Sequence, residues 1–87
     1  MFKVKVLPRA ESQLEKIQNN VKIKIVEFID TLEITYYPNM YDISKLKGRA
    51  NTYRARISNY RIFYYVDFHN KEITILYIRP RKKAYNK

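Results

Sequence analysis

Arg54, Arg56 and Arg61 lie on either side of the dipeptide Ser58-Asn59, with Phe63 and Tyr65 just beyond. These residue types suit chemistry on a phosphate. If Ser58 and Asn59 make a two-residue hairpin turn, Arg56 faces Arg61, Arg54 faces Phe63 and Thr52 faces Tyr65, all on one side of the hairpin. Like charges directly opposed across a strand pair cost up to about 1 kcal/mol. Arg56 against Arg61 is therefore unfavourable unless an anion bridges them or both heads splay into water. A phosphate is the anion that guanidinium forks match best. Phe63 and Tyr65 offer flat faces on which unstacked bases could stack, as single-stranded RNA recognition prefers, or surfaces for a protein partner.

A second cluster sits near the C-terminus, where Arg79-Pro80-Arg81-Lys82-Lys83-Ala84-Tyr85 adds cations and a phenol. A third is Lys45, Lys47 and Arg49 around Gly48. Other chemistries lack their residues. The one histidine, His69, falls at a turn, so paired-histidine acid–base cleavage has no second partner. There is no cysteine and no spacing of metal ligands, so neither disulfide nor metal is expected, and no cofactor is implied.

The net charge of +10 is unevenly placed. Residues 1–44 hold six cations and six acids, whereas residues 45–87 hold twelve cations against Asp67 and Glu72. That segregation points to an anionic partner, since mixed signs would serve solubility without the self-repulsion.

The elements that must position these groups follow from periodicity. Phe2, Val4 and Val6 alternate with Lys3 and Lys5 as a short strand ended by Pro8. Ala10, Leu14 and Ile17 recur at helical spacing, Asn19 and Asn20 break it, and Val21, Ile25, Phe28, Ile29 and Leu32 resume it. The spacing predicts a helical hairpin. Tyr36 to Ser44 reads as a loop, and Gly48 as a turn before the next strand. Strands follow over Tyr53 to Ile57, Tyr60 to Phe68 and Lys71 to Ile78. The nearly continuous apolar run Ile73 to Ile78 predicts a central strand buried on both faces.

The expectation is one α+β domain over residues 1–87: strand, helical hairpin, then a three-stranded antiparallel meander, giving one mainly antiparallel sheet packed on the helices. Tyr53, Ala55, Ile57, Tyr60, Ile62, Tyr64 and Val66 would form the helix-packed face. Met1 through Val6 lacks the unbroken apolar run of a signal peptide or membrane span, and the cations lie on strands and tail rather than on an amphipathic helix. A cytoplasmic protein that does not engage membranes is expected.

Lys45-Leu46-Lys47-Gly48, Tyr53-Arg54-Ala55-Arg56-Ile57, Asn59-Tyr60-Arg61-Ile62-Phe63-Tyr64-Tyr65-Val66 and Arg79-Pro80-Arg81 with Tyr85, in this order of elements, resemble the RelE branch of the RelE/ParE toxins of toxin–antitoxin systems. The resemblance spans nearly the whole chain. It implies a RelE-like fold and a metal-independent endoribonuclease that cleaves messenger RNA in the ribosomal A site by attack of a 2′-hydroxyl on the adjacent phosphate. It also implies an acidic or amphipathic RelB-like antitoxin, with which a heterotetramer could form.

Position by position, the resemblance makes Arg61 and Arg81 phosphate-binding and transition-state residues and Tyr85 the terminal tyrosine that orients or stacks on a base. Arg54 and Arg56 complete the catalytic set, and Lys45, Lys47, Arg49, Phe63, Tyr65, Arg79, Lys82 and Lys83 are candidate RNA contacts. Relatives can carry lysines where Arg54 and Arg56 stand. Arginine does not give up its proton in proteins, so the general base is left open among Tyr85, Lys82, Lys83 and no strong base at all. Relatives of the YoeB type use a carboxylate before the sheet and a C-terminal histidine; Ser44 and a histidine-free tail depart from that pattern. Two other functions compete: a ParE-like inhibitor of DNA gyrase, and a non-catalytic RNA- or ribosome-binding module.

Overall fold

The computed structural model describes residues 1–81. The elements are β1 (Lys3–Val6), α1 (Pro8–Glu15), α2 (Asn19–Thr31), β2 (Asp42–Lys45), β3 (Thr52–Ile57), β4 (Tyr60–Asp67) and β5 (Glu72–Pro80). The strands form one mixed sheet in the order β1-β5-β4-β3-β2. Only β1 runs parallel to its neighbour, β5; the other pairs are antiparallel. This is the expected α+β arrangement with one strand added.

The added strand corrects the reading of Tyr36 to Ser44 as loop. β2 is a four-residue edge strand whose only buried side chain is Ile43, too little apolar alternation to register as a period. The segment before it is fastened by phenols. Tyr64 Oη donates to the Tyr36 carbonyl at 2.8 Å, and Tyr37 Oη donates to the Ile43 carbonyl at 2.8 Å.

The helix break is also displaced. Asn19 and Asn20 open α2 rather than separate the helices, and the chain turns at Lys16 to Gln18. Asparagine is poor inside a helix but tolerated in its first turn, where backbone N–H groups lack partners anyway. Pro8 occupies the first turn of α1, where its missing donor costs nothing.

The core lies between the helices and one sheet face. Ala10, Ile17, Ile25, Phe28 and Leu32 meet Tyr53, Ala55, Ile57, Ile62, Tyr64 and Val66, all buried. Tyr60, placed on this face by sequence, is half-buried at its rim.

β5 is not buried on both faces. Phe63 pairs with Tyr77 but Tyr64 pairs with Ile75, so Leu76 is an extra residue, a bulge that reverses the alternation. Ile73, Ile75 and Ile78 therefore all reach the core, while Thr74, Tyr77 and Arg79 are less buried. The apolar run records a change of phase, not two buried faces.

β1 ends opposite Ile75, which leaves the rest of β5 without a strand on that side. Leu7 and α1 after it supply partners instead: Leu7 N–H and Arg9 Nε–H donate to the carbonyls of Ile75 and Leu76, and Gln13 Oε1 accepts from Ile78 N–H at 2.7 Å. Edge groups that would otherwise be orphaned are thus satisfied.

Tyr64 is fully buried, and burial followed by its phenol neighbours Tyr53, Tyr37 and Tyr36 raises its pKa well above the ordinary value near 10. The neutral phenol therefore contributes stability that is complete below pH about 10 and is lost as pH climbs through and beyond that value. Tyr64→Phe is expected to lower stability at neutral pH by about 1–2 kcal/mol, since the Tyr36 carbonyl loses its donor, and to flatten the alkaline decline. Urea titrations at pH 7 and pH 11 would check both.

Candidate functional site

The face turned away from the helices is laid out by strand register. One row crosses the sheet as Asp42, Arg56, Arg61 and Arg79, each directly opposite the next. The adjoining row is Ser44, Arg54, Phe63 and Tyr77. The hairpin pairings expected from sequence, Arg56 with Arg61, Arg54 with Phe63 and Thr52 with Tyr65, are those observed. The turn that sets them places Ser58 at φ 55, a left-handed conformation that a non-glycine residue adopts at some cost.

Arg56, Ser58, Tyr60, Arg61 and Arg81 line a cleft of about 220 Å³ at the turn end of this face. Arg81 is held there by its backbone N–H, which donates to the Asn59 carbonyl. Asp42 is the one acid in the row; it sits 3.9 Å from Arg56 with both side chains largely exposed, a pairing worth little in water. Arg61 has arginines on both sides and no acid. The Nε groups of Arg54 and Arg61 are buried without an acceptor, although Arg54 Nη2 donates to Ser44 Oγ at 3.2 Å. Such a cluster can do two things: hold a phosphate through several charge-assisted hydrogen bonds, and stabilise extra negative charge developing on it.

Several expected contacts are placed differently. Phe63 is buried, its ring 4.6 Å from that of Tyr77, so it has no free face for a base. The ring exposed on this face is Tyr65. Arg79 joins the arginine row, and Lys45, Lys47 and Arg49 line a broad groove with Gly48, whose φ is 78. Lys82, Lys83 and Tyr85 lie outside the described residues. His69 is exposed in the β4–β5 turn, where Asp67 caps the loop by accepting from the Asn70 backbone and side-chain amides; these bonds hold the Asp67 carboxyl below its ordinary pKa. Among the described residues no group of three or more His, Cys, Asp or Glu could hold a metal, and no helix is long and apolar enough to cross a membrane.

Sequence reasoning missed Tyr77 and Arg9. Tyr77 reaches this face only because of the bulge at Leu76, and Arg9 reaches it from α1, distant in sequence. Ser58 and Tyr60 were assigned only to turn and core, yet both line the cleft.

Comparison with known proteins agrees with this fold. The family model for the ParE toxin of type II toxin–antitoxin systems, parDE, matches residues 4–85. The protein designated RelE1 of Methanocaldococcus jannaschii is 33% identical over 85 residues, covering 97% of this chain and 94% of its own. RelE in the archaeal RelE–RelB complex from Pyrococcus horikoshii superposes with a TM-score of 0.86 at 32% identity, over 95% of this chain and 98% of that one. The isolated Escherichia coli RelE toxin, at 15% identity, shares the fold with a TM-score of 0.82 over 98% of this chain and 89% of that one. The chain belongs to the RelE/ParE family and is a RelE-type toxin of the type II toxin–antitoxin class.

Proposed function

We propose that the protein is a ribosome-dependent endoribonuclease that cuts messenger RNA in the ribosomal A site and so inhibits translation. The observation that carries this reading is the cleft of Arg56, Arg61 and Arg81, where Arg61 has no acidic partner across either strand. In the reaction the 2′-oxygen of one nucleotide bonds to the adjacent phosphorus and the bond to the 5′-oxygen of the next nucleotide breaks. The attacking hydroxyl loses its proton and the leaving oxygen gains one. Arg56, Arg61 and Arg81 bind the phosphate and offset the charge that builds on its free oxygens at the transition state. None of them serves as base, because guanidinium stays protonated. Tyr85, Lys82 and Lys83 remain the candidates the resemblance supplies for moving protons, and Tyr85 for orienting a base. The ribosome contributes by holding the messenger in line.

The partner is an antitoxin. RelE is found with RelB in the Pyrococcus horikoshii complex, and a RelB-like chain with acidic or amphipathic segments would neutralise the cleft here and cover apolar surface left exposed at Ile23, Val26 and Met40. Translation and its inhibition place the protein in the cytoplasm.

Primer extension on messenger RNA in a translating extract tests the reading. Wild type should leave cuts inside codons only when ribosomes are present, and Arg61→Ala and Arg81→Ala should leave none. Growth arrest without cuts would favour the second reading, inhibition of DNA gyrase, to which the ParE description of the matched family lends support; a supercoiling assay with purified gyrase would then be positive.

A further inference from the structure

One row along from the cleft lies a cluster that the proposed cleavage does not use. Tyr77 stands opposite Phe63 on the same sheet face. The guanidinium carbons of Arg9 and Arg79 lie 5.0 and 4.9 Å from the centroid of its ring, and Arg49 Nη1 donates to its phenol oxygen at 3.2 Å. The three arginines come from α1, the loop after β2 and the end of β5, so the fold gathers them. No acid lies among them: the ion pairs among the described residues are Lys5 with Glu72 and Arg56 with Asp42. Three cations converging on one half-buried phenol repel one another, and an anion entering between them relieves that repulsion.

Tyr77 is suited to complete such a site. Its oxygen accepts from Arg49, which leaves its own O–H free to donate. The rings of Tyr77 and Phe63 together fix the position of that donor. The Tyr77 row and the Arg61 row are two residues apart on the strands, about 7 Å, so a strand of RNA can touch both in a single step of its backbone.

We propose that Tyr77, with Arg9, Arg49 and Arg79, forms a second phosphate subsite that takes the phosphodiester next to the one cleaved. The subsite rests on the nuclease reading for the identity of its ligand. It makes the sheet face a two-phosphate track, along which the scissile bond is placed by its neighbour as well as by its own contacts. Tyr77 is a positioning residue: it touches the RNA beside the reacting atoms and moves no proton in the reaction.

The test is equilibrium binding of a fluorescein-labelled, fully 2′-O-methylated hexanucleotide, which lacks the attacking hydroxyl and cannot be cut. Tyr77→Phe keeps the ring and its packing but removes the donor, and should weaken binding about threefold to tenfold. Arg49→Gln should weaken it comparably and reduce the slope of log affinity against log salt by about 0.7, as expected for one phosphate contact. The double variant should be weaker than the poorer single variant by less than the two effects multiplied, because both residues act on one phosphate and are hydrogen-bonded to each other. Affinity unchanged in both single variants, or no binding of the hexanucleotide by wild type, overturns the subsite. The nuclease reading fails separately: if wild type binds the hexanucleotide through Tyr77 yet cuts nothing on ribosomes, the subsite stands and the reaction does not. If cleavage proceeds and its dependence on ribosome concentration is the same in Tyr77→Phe as in wild type, the reaction stands and the subsite does not.

Discussion

Arg61→Gln should abolish growth arrest and, in the same purified protein, raise the melting temperature. The loss follows from chemistry: a donor aimed at charge that develops in the transition state is worth about 10²–10³ in rate, and glutamine cannot supply the fork or the charge. The gain follows from position. Arg61 is flanked by Arg56 on β3 and Arg79 on β5, and its Nε is buried without an acceptor. Each opposed like-charge pair costs about 0.2–1 kcal/mol. Because the heads of Arg56 and Arg79 are largely in water, the lower part of that range applies, and a net gain of about 0.5–1 kcal/mol is expected. For a chain of this size that corresponds to a few degrees in melting temperature. Calorimetry of both proteins at low and high salt is the check, with the gain shrinking as salt screens the row. A variant that melts below wild type would mean that Arg61 is satisfied by the protein itself, and the row would lose its character as a receptor for an anion.

Phe28→Ala should lower stability by about 3–5 kcal/mol, the largest structural effect expected of one substitution here. Phe28 is fully buried between α2 and the sheet, 5.0 Å from the Tyr41 ring and 5.9 Å from that of Tyr64. It joins the helix, the segment leading into β2 and the central strand β4. A domain of this kind has about 5–15 kcal/mol in total, so from the lower end of that range the variant would be partly unfolded at 37 °C. Its toxicity would fall through abundance and not through chemistry. Urea unfolding followed by circular dichroism would show a lowered midpoint for Phe28→Ala and a raised one for Arg61→Gln, which separates the two ways of losing activity. A drop under 1 kcal/mol would mean that neighbouring rings close the space left behind.

The hairpin of β3 and β4 was the part of the fold most legible in the sequence. A two-residue turn at Ser58-Asn59 fixes parity, and parity fixes which residues share the arginine face and which the core, so register could be written down pair by pair. The helical stripes were legible for the same reason, at a different period. β2 was not, because one buried residue among four makes no pattern. The bulge was not, because nothing in the apolar run Ile73 to Ile78 marks the residue that goes unpaired, and Tyr77 was lost with it. Arg9 was illegible because its partner ring on β5 is remote along the chain. Phe63 was assigned to the correct face, but face alone does not give exposure: the ring of Tyr77 covers it from the neighbouring strand.

A strand offers its side chains only two phases, and Leu76 is where β5 passes from one to the other. Pair that residue in the ladder instead, and every downstream group keeps its chemistry but changes its address: Tyr77 and Arg79 would turn toward the helices, and Ile78 toward the open face. What matters at this position is therefore that the residue stays out of the ladder, more than which residue it is. Substitution of Leu76 should be tolerated to the extent that packing allows, and its deletion should keep Ile75 opposite Tyr64 and Tyr77 opposite Phe63, whereas one residue added among the paired positions acts like a frameshift written in space instead of in codons. The same logic limits how the toxin can vary. Loops may lengthen or shorten, but the paired positions of β5 can grow or shrink only two at a time if the arginine row is to stay whole.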